Sequence, residues 1–126
     1  MQRPEKIRSV KDLMVYNLAF DLSMQIFKLS KSFPKEETYS LTDQIRRSSR
    51  SVSINIREGY AKKKYEKFFV SHLVTSLGSS EETRGWLEYA MACEYITKNI
   101  FNQLDKSYSE LSAMINSLSE KWHNFK

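Results

Sequence analysis

The chain has 126 residues, a length typical of one domain that buries about two thirds of the surface of its unfolded chain. Its three glycines and two prolines permit long helices and exclude a sheet with many turns. Twenty Lys and Arg residues against fifteen Asp and Glu residues give a formal net charge of +5. Such a balance favours an anionic partner, although it is also common in proteins that have none.

Cysteine content and hydropathy bear on the compartment. Cys93 is the single cysteine, so it has no partner for an intramolecular disulfide and suits a reducing cytosol. Its neighbours Met91, Ala92 and Tyr95 favour a buried, inert thiol. No apolar run approaches the roughly 20 residues of a membrane helix, and the first residues lack the apolar segment of a signal peptide. We therefore expect a soluble, cytoplasmic protein without membrane association.

The first half of the chain predicts two helices. We expect residues 1–10 to be a flexible segment and residues 11–126 to form one domain. The first helix begins at Lys11 and is ended by Pro34; Ser40 or Thr42 caps the second. Gly59 closes the second helix, since glycine adopts the left-handed conformation at little cost. Heptad-like apolar stripes run along both helices, through Val15, Ala19, Leu22, Ile26, Leu29 and Phe33 and then Leu41, Ile45, Val52 and Ile56.

The second half predicts two more helices. The third runs from about Tyr65 to Tyr95, and the fourth repeats the heptad from Phe101 to Trp122. Because glycine costs about 1 kcal/mol relative to alanine inside a helix, the small polar stretch 78–85 indicates a close neighbouring backbone or, alternatively, a tolerated weak point. Four amphipathic helices with short connections predict an all-α, antiparallel up-and-down four-helix bundle.

Positive charge concentrates on the second helix and the turn that follows it. Arg46, Arg50 and Arg57 fall within about 40° of one another and about 120° from the apolar stripe. Few acids lie nearby except Glu58 and Glu66, and a phosphate backbone favours such a surface. The candidate nucleic-acid contacts are Arg50, Arg57, Lys62, Lys63, Lys64 and Lys67.

Other residues of this region allow two interpretations each. Arg46 and Arg47 either bind the ligand or pair with Glu81 or Glu82, within the bundle or between chains. The outward Ile54 hints at a protein surface, although a lone exposed isoleucine is ordinary. The aromatic residues near the turn either stack on unpaired bases or, as aromatic stripes more often do, seal the core; they are Tyr60, Tyr65, Phe68 and Phe69. The candidate structural or interface residues are Arg46, Arg47, Asn55, Glu58, Gly59, Gly78 and Glu82.

Catalytic signatures are missing from the sequence. His72 and His123 are the two histidines, and neither has the spacing of a zinc site. There is no paired Glu-x-x-His sequence of a di-iron bundle and no glycine-rich phosphate loop or nucleophile elbow. We therefore expect no enzymatic activity, metal, cofactor or small-molecule substrate.

Residues 46–60, RRSSRSVSINIREGY, resemble the signature segment of the small four helix bundle proteins, whose genes are often found inside intervening sequences of bacterial large-subunit ribosomal RNA genes. In that family two arginines are followed by a run similar to Ser-Ile-Pro-Ser-Asn-Ile-Ala-Glu-Gly-Phe. Ser53, Ile54 and Arg57 depart from this run. The matching positions are Arg46, Arg47, Ser51, Val52, Asn55, Ile56, Glu58, Gly59 and Tyr60, with further matches at residues 12–22, Phe33, Pro34, Gly78, Ser79 and Glu82.

This resemblance implies an assembly as well as a fold. Relatives form ring-like homo-oligomers, typically pentamers, and one related bundle assists the reverse transcriptase of diversity-generating retroelements, binding nucleic acid through a basic surface. By this likeness we expect a non-enzymatic homo-oligomer whose basic faces bind RNA or DNA. The alternative is a structural or protein–protein interaction module that uses the 78–85 face and Ile54 and has no nucleic-acid role.

Overall fold

The four expected helices all form in the computed structural model, which describes residues 7–122. The model contains no strand within that range. Along the chain each helix packs on the next, and α4 closes the bundle against α1. The prediction of an all-α, antiparallel up-and-down four-helix bundle is confirmed. The helices are α1 (Met14–Ser30), α2 (Leu41–Ala61), α3 (Glu66–Ala92) and α4 (Lys98–Lys121).

The apolar stripes of the sequence meet along the bundle axis. Complete burial of one large aliphatic or aromatic side chain contributes about 1.5–3 kcal/mol to folding, so this core supplies most of the driving force. The largest fully buried side chains include Ile26, Ile45, Ile56, Phe69, Leu73, Leu87, Tyr108, Leu111 and Ile115.

Hydroxyl groups line the contact between α2 and α3. The Oγ of Ser76 donates to the carbonyl oxygen of Val52 at 2.8 Å, and the Oγ1 of Thr83 donates to the Oγ of Ser48 at 2.9 Å. Buried polar groups need such partners because an unpaired one retains its desolvation cost. The pairing therefore fixes how far α3 can slide along α2, while the small side chains let the two helices approach closely.

Gly59 corrects one expectation about the end of α2. The helix continues to Ala61, and none of the glycines has a positive φ, so Gly59 does not close it in the left-handed conformation. A Cβ at this position would lie 2.6 Å from the Cβ of His72 and 2.9 Å from Cδ1 of Phe69. Glycine is required here because α3 comes too close for any side chain.

Gly78 and Gly85 show the opposite environment. A Cβ at either position would meet nothing within 4 Å, so no other element within residues 7–122 approaches these glycines closely. The close packing predicted at these two glycines is therefore not made among the described residues, whereas Ser80 and Thr83 of the same stretch are buried in the bundle. Both glycines lie on the side of α3 away from the core, where Gly78 is exposed.

The ends of the elements differ in detail from the sequence expectations. Ser9 caps a 3-10 helix at Val10–Asp12, and Val10 is buried; residues 1–6 lie outside the described residues. The backbone N–H of Leu41 donates to the Glu37 carboxylate at 3.2 Å, and neither Ser40 nor Thr42 caps α2 with its side chain.

The far end of α3 corrects one further expectation, the burial of Cys93, and carries a contact with the α1–α2 loop. Cys93 is exposed rather than buried, because it follows the last residue of α3 and lies outside the core stripe. The Tyr95 hydroxyl donates to the Glu37 carboxylate at 2.8 Å, which joins the α3–α4 turn to the α1–α2 loop. This hydrogen bond raises the pKa of Tyr95 to about 12.

We expect opposite effects of alanine at Gly59 and at Gly78. Gly59→Ala forces α2 and α3 apart and should lower the free energy of unfolding by about 1–3 kcal/mol. Gly78→Ala meets no neighbour and removes a flexible residue from a helix interior, so it should raise that free energy by about 0.5–1 kcal/mol. Urea unfolding followed by circular dichroism measures both; a Gly59→Ala protein as stable as the parent contradicts the close contact.

Candidate nucleic-acid interface

Charge divides the bundle into two unlike halves. Residues 7–67, which form α1, α2 and the α2–α3 turn, contain thirteen Lys and Arg residues against seven Asp and Glu residues. Residues 68–122, which form most of α3 and all of α4, contain four against seven. The net positive charge of the chain therefore resides on the α1–α2 side, where an anion would be attracted first.

Three of the cations on that side surround one aromatic ring of α1. The guanidinium carbons of Arg46 and Arg50 lie 4.9 and 5.7 Å from the centroid of the Phe27 ring, and the Lys31 Nζ lies 4.8 Å from it. Cations are attracted to the face of an aromatic ring, at about 0.5–1 kcal/mol for an exposed contact. The ring orients these cations without neutralising them.

Arg57 makes a similar contact at the other end of α1. Its Nη1 donates to the Tyr16 hydroxyl at 3.1 Å, and its guanidinium carbon lies 5.8 Å from the ring centroid. A guanidinium carries five N–H donors, so most of the donors of Arg57 remain available. The side chain is exposed, as a phosphate contact requires.

The α2–α3 turn presents the remaining candidate cations. The Nζ of Lys63 lies 4.1 Å from the centroid of the Tyr60 ring, and that of Lys64 lies 5.8 Å from the centroid of the Tyr65 ring. Lys67 is exposed on the first turn of α3. Within residues 7–122, the recorded ion pairs involve only Arg47 and Arg84 among the basic side chains. The six predicted contact residues have no carboxylate partner there.

A hydrogen-bonded chain holds Lys62 at the same turn. The Asn55 amide nitrogen donates to the Ser51 carbonyl at 3.0 Å, so the amide oxygen faces His72 Nδ1, 3.2 Å away. Nδ1 must then carry the proton, which leaves the lone pair of Nε2 to accept from the Lys62 ammonium at 3.1 Å. Asn55 therefore acts as a structural residue that fixes the His72 tautomer, and His72 in turn positions Lys62.

The four aromatic residues near the turn divide into two pairs. Tyr60 and Phe69 are buried and meet edge to face with centroids 6.3 Å apart, as expected for residues that seal the core. Tyr65 and Phe68 are 58% and 56% exposed, so the same expectation is wrong for them. Tyr65 is the N-cap of α3, and Phe68 follows on a side of the helix that faces away from the bundle axis.

Arg46 and Arg47 do not pair with Glu81 or Glu82 in this chain. The Arg46 Nε donates to the Ser30 Oγ of α1 at 2.8 Å, and Arg47 forms an exposed pair with Asp43 at 3.4 Å. The two glutamates have other partners: Glu81 accepts from Arg84 and Ser112, and Glu82 accepts from Trp86. The within-chain pairing fails because α2 directs Arg46 towards α1 and presents small residues to α3.

The remaining predicted residues, Glu58 and Ile54, both lie on the surface of α2. Glu58 is exposed on the last turns of α2, and Ile54, 49% exposed, points outward as expected. The described part of the chain contains no group of His, Cys, Asp and Glu residues that could hold a metal ion. No described helix combines the length and the hydropathy needed to cross a membrane. His123 lies outside the described residues.

Sequence reasoning missed the contribution of α1 to the basic surface. Tyr16 and Phe27, which contact the arginines, lie beside the core stripe, and periodicity alone does not predict them as partners of α2. A signal was present in the spacing: Tyr16, Phe20 and Phe27 are separated by four and seven residues, which places aromatic residues on one side of a helix. That side faces α2.

The family model of the 23S rRNA-intervening sequence protein matches residues 11–117. This chain belongs to that family. The match covers all four helices of the bundle except the last residues of α4, so the resemblance noted at residues 46–60 is confirmed as kinship over nearly the whole chain.

A solved structure of this type is similar in fold. It is the crystal structure, at 1.70 Å resolution, of a Bacteroides thetaiotaomicron protein with unknown function from the S23 ribosomal protein family. The two sequences are 26% identical; the similarity covers 84% of this chain and 95% of the other, with a TM-score of 0.76. No curated protein matches the chain. Neither the family nor the solved relative is described as an enzyme.

Arg46 and Arg47 should differ in their contribution to stability. Arg46→Ala removes a hydrogen bond to Ser30 and a contact with the Phe27 ring, which should cost about 1–2 kcal/mol. Arg47→Ala removes only an exposed i, i+4 pair and should cost no more than about 0.5 kcal/mol. Urea unfolding of the two variants provides the comparison, and equal losses would contradict the assignment of Arg46 to the α1–α2 contact.

Proposed function

We propose that this member of the 23S rRNA-intervening sequence protein family is a non-enzymatic, homo-oligomeric helical bundle that binds RNA or DNA through the basic surface of α2 and the α2–α3 turn. The observation that supports this proposal most is that six basic side chains on this surface form no ion pair within the described residues. Within the described residues they lack carboxylate partners, although Arg47 and Arg84 find such partners. The six are Arg50, Arg57, Lys62, Lys63, Lys64 and Lys67.

The physical basis of binding would be release of counterions. A cation that replaces a condensed counterion on a phosphate backbone frees that ion, so affinity falls as salt rises, with a slope of about 0.9 per contacted phosphate on duplex DNA and about 0.7 on a single strand. Cations already neutralised by carboxylates contribute little to such release. The lack of ion pairs at α2 and the turn therefore favours a polyanionic ligand.

Assembly would strengthen a surface that is weak in one copy. Members of the small four helix bundle proteins, whose signature segment residues 46–60 resemble, form rings, typically of five chains. A ring repeats the same cations on every subunit, which raises the effective affinity for a long polyanion. The free space above Gly78 and Gly85 provides a surface on which a neighbouring chain could approach closely. Pairing of Arg46 or Arg47 with a glutamate of another chain belongs to the same proposal.

The α3 surface also supports the alternative function, a structural or protein–protein interaction module without a nucleic-acid role. Its outward side beside the two glycines carries Val74, which is 56% exposed, together with the exposed carboxylates Glu81 and Glu82. Light scattering with and without ribosomal RNA fragments, at low and high salt, separates the two functions. Assembly that is indifferent to RNA at both salt concentrations favours the module; a gain of mass with RNA that disappears at high salt favours nucleic-acid binding.

The lysines of the turn provide the direct test. The triple variant K62Q/K63Q/K64Q should bind structured RNA and duplex DNA more weakly. If all three lysines contact phosphates, its slope of log affinity against log salt should also be about 2–3 units shallower. Fluorescence anisotropy at several salt concentrations measures both quantities.

The matched control for this test is K98Q/K106Q/K121Q. It removes the same charge from exposed lysines of α4. Its affinity and salt slope should match those of the parent, apart from a small loss caused by the lower net charge. Equal losses in the two triple variants would mean that net charge alone drives binding. No loss in the turn variant would refute the assignment of the surface.

A further inference from the structure

Tyr65 and Phe68 form an exposed aromatic pair at the tip of the bundle. Their ring centroids lie 5.9 Å apart at an interplanar angle of 77°, an edge-to-face contact. More than half of each side chain is open to solvent. An edge-to-face contact covers only one ring face of the pair, so other faces remain available to a planar ligand.

The lysines of the turn surround this pair without covering it. Lys63 lies over the inner ring of Tyr60, and Lys62 is held by His72. Only Lys64, at 5.8 Å, approaches the Tyr65 ring, near the limit of a cation–π contact. The turn therefore presents two open rings among four lysines and one acid within residues 62–68.

The location of these rings distinguishes them from the other exposed aromatic side chains. Tyr39 and Tyr89 are 94% and 61% exposed, but their neighbours in sequence are the acids Glu37 and Glu88. Among the described residues, Phe20, 48% exposed, lies beside the Tyr16 ring, whereas the α2–α3 turn brings two exposed rings together with four lysines. That combination is characteristic of single-strand binding surfaces, where bases stack on aromatic rings while cations follow the phosphates.

We propose that Tyr65 and Phe68 stack on unpaired bases, so that the ligand of this surface is single-stranded nucleic acid or an unpaired loop rather than a regular duplex. In a duplex the base faces are covered by neighbouring base pairs and cannot reach a protein ring. The inference rests on the proposed nucleic-acid function and adds the class of ligand to it. Stacking is tolerant of base identity, so the surface recognises an exposed base more than a sequence.

The test compares single strands of equal charge that differ in their bases, and adds a duplex, which carries about twice that charge. Four probes of twelve nucleotides per strand are used: oligo-dT, oligo-rU, an abasic deoxyribose-phosphate chain and a duplex. The parent protein should bind oligo-dT and oligo-rU at least about fivefold more tightly than the abasic chain, since one stacked base corresponds to about 5- to 150-fold in affinity. The RNA and DNA arms show which sugar the surface prefers.

Two double variants assign the preference to the rings. Y65A/F68A should lose the preference for oligo-dT over the abasic chain and keep the salt slope of the parent, because its lysines remain. The control Y39A/Y89A removes two exposed rings elsewhere and should retain the preference. All four substituted side chains are exposed, and circular dichroism verifies that both variants are folded.

The outcomes separate this inference from the function on which it rests. K62Q/K63Q/K64Q should flatten the salt slope and retain the preference for bases, which is the converse of Y65A/F68A. Equal binding of oligo-dT and the abasic chain, or tighter binding of the duplex, would overturn base stacking and leave phosphate binding intact. A parent protein that binds none of the probes would overturn both. If Y65A/F68A changes only the sedimentation mass, the rings form a contact between copies and the inference is wrong.

Discussion

The close approach of α2 and α3 is the constraint on which the rest of the bundle depends. At Gly59 the two helices leave no room for a Cβ, and further along their contact is made by hydroxyls that pair across it. An interface of small residues brings the axes together and allows little change of register, because each buried hydroxyl would lose its partner. One side of α2 is therefore fully occupied by the contact with α3.

The position of the basic surface follows from that contact. Long cationic side chains do not fit between α2 and α3, so Arg46, Arg50 and Arg57 lie on the opposite flank, where aromatic residues of α1 receive them. A ring face attracts a cation yet leaves its charge unneutralised, unlike a carboxylate. The aromatic residues of α1 thus hold positive charge in place while keeping it available. Bundle packing and surface chemistry are in this way two consequences of one arrangement.

Helical periodicity predicted what depends on a single helix. It located the four helices and the separation of basic and apolar faces on α2, since these follow from about 100° per residue. It could not predict which neighbour each flank meets. The role of Gly59 was therefore misassigned, because a glycine near a helix end is compatible with closure and with close packing alike. The within-chain pairing of Arg46 with a glutamate of α3 is not made for the same reason: matching heights along two helices does not show that their side chains face each other.

The burial of residues near the ends of helices is the second property that sequence periodicity could not predict. Periodicity places a residue around an axis, but at a terminus the core itself ends, so an apolar residue there is buried only if another element covers it. Phe69 is covered by Trp122, with ring centroids 4.4 Å apart. Tyr65, one turn earlier, extends past that cover, and Phe68 lies about 100° around the helix from Phe69, on the side away from the core. Cys93 is exposed for the same reason at the other end of α3. The turn thereby carries charge and open rings together.

Charge and rings at the turn act over different distances, which gives each a separate role. The field of the cations extends about 10 Å at 0.1 M salt, so it draws in any polyanion regardless of base content. A ring acts only in van der Waals contact and distinguishes an exposed base from a covered one. A surface with cations alone would bind duplex and single strand by charge density, and the denser duplex would be favoured. Under the proposed stacking, the open rings of Tyr65 and Phe68 would reverse that order, because only an unpaired base can stack on them.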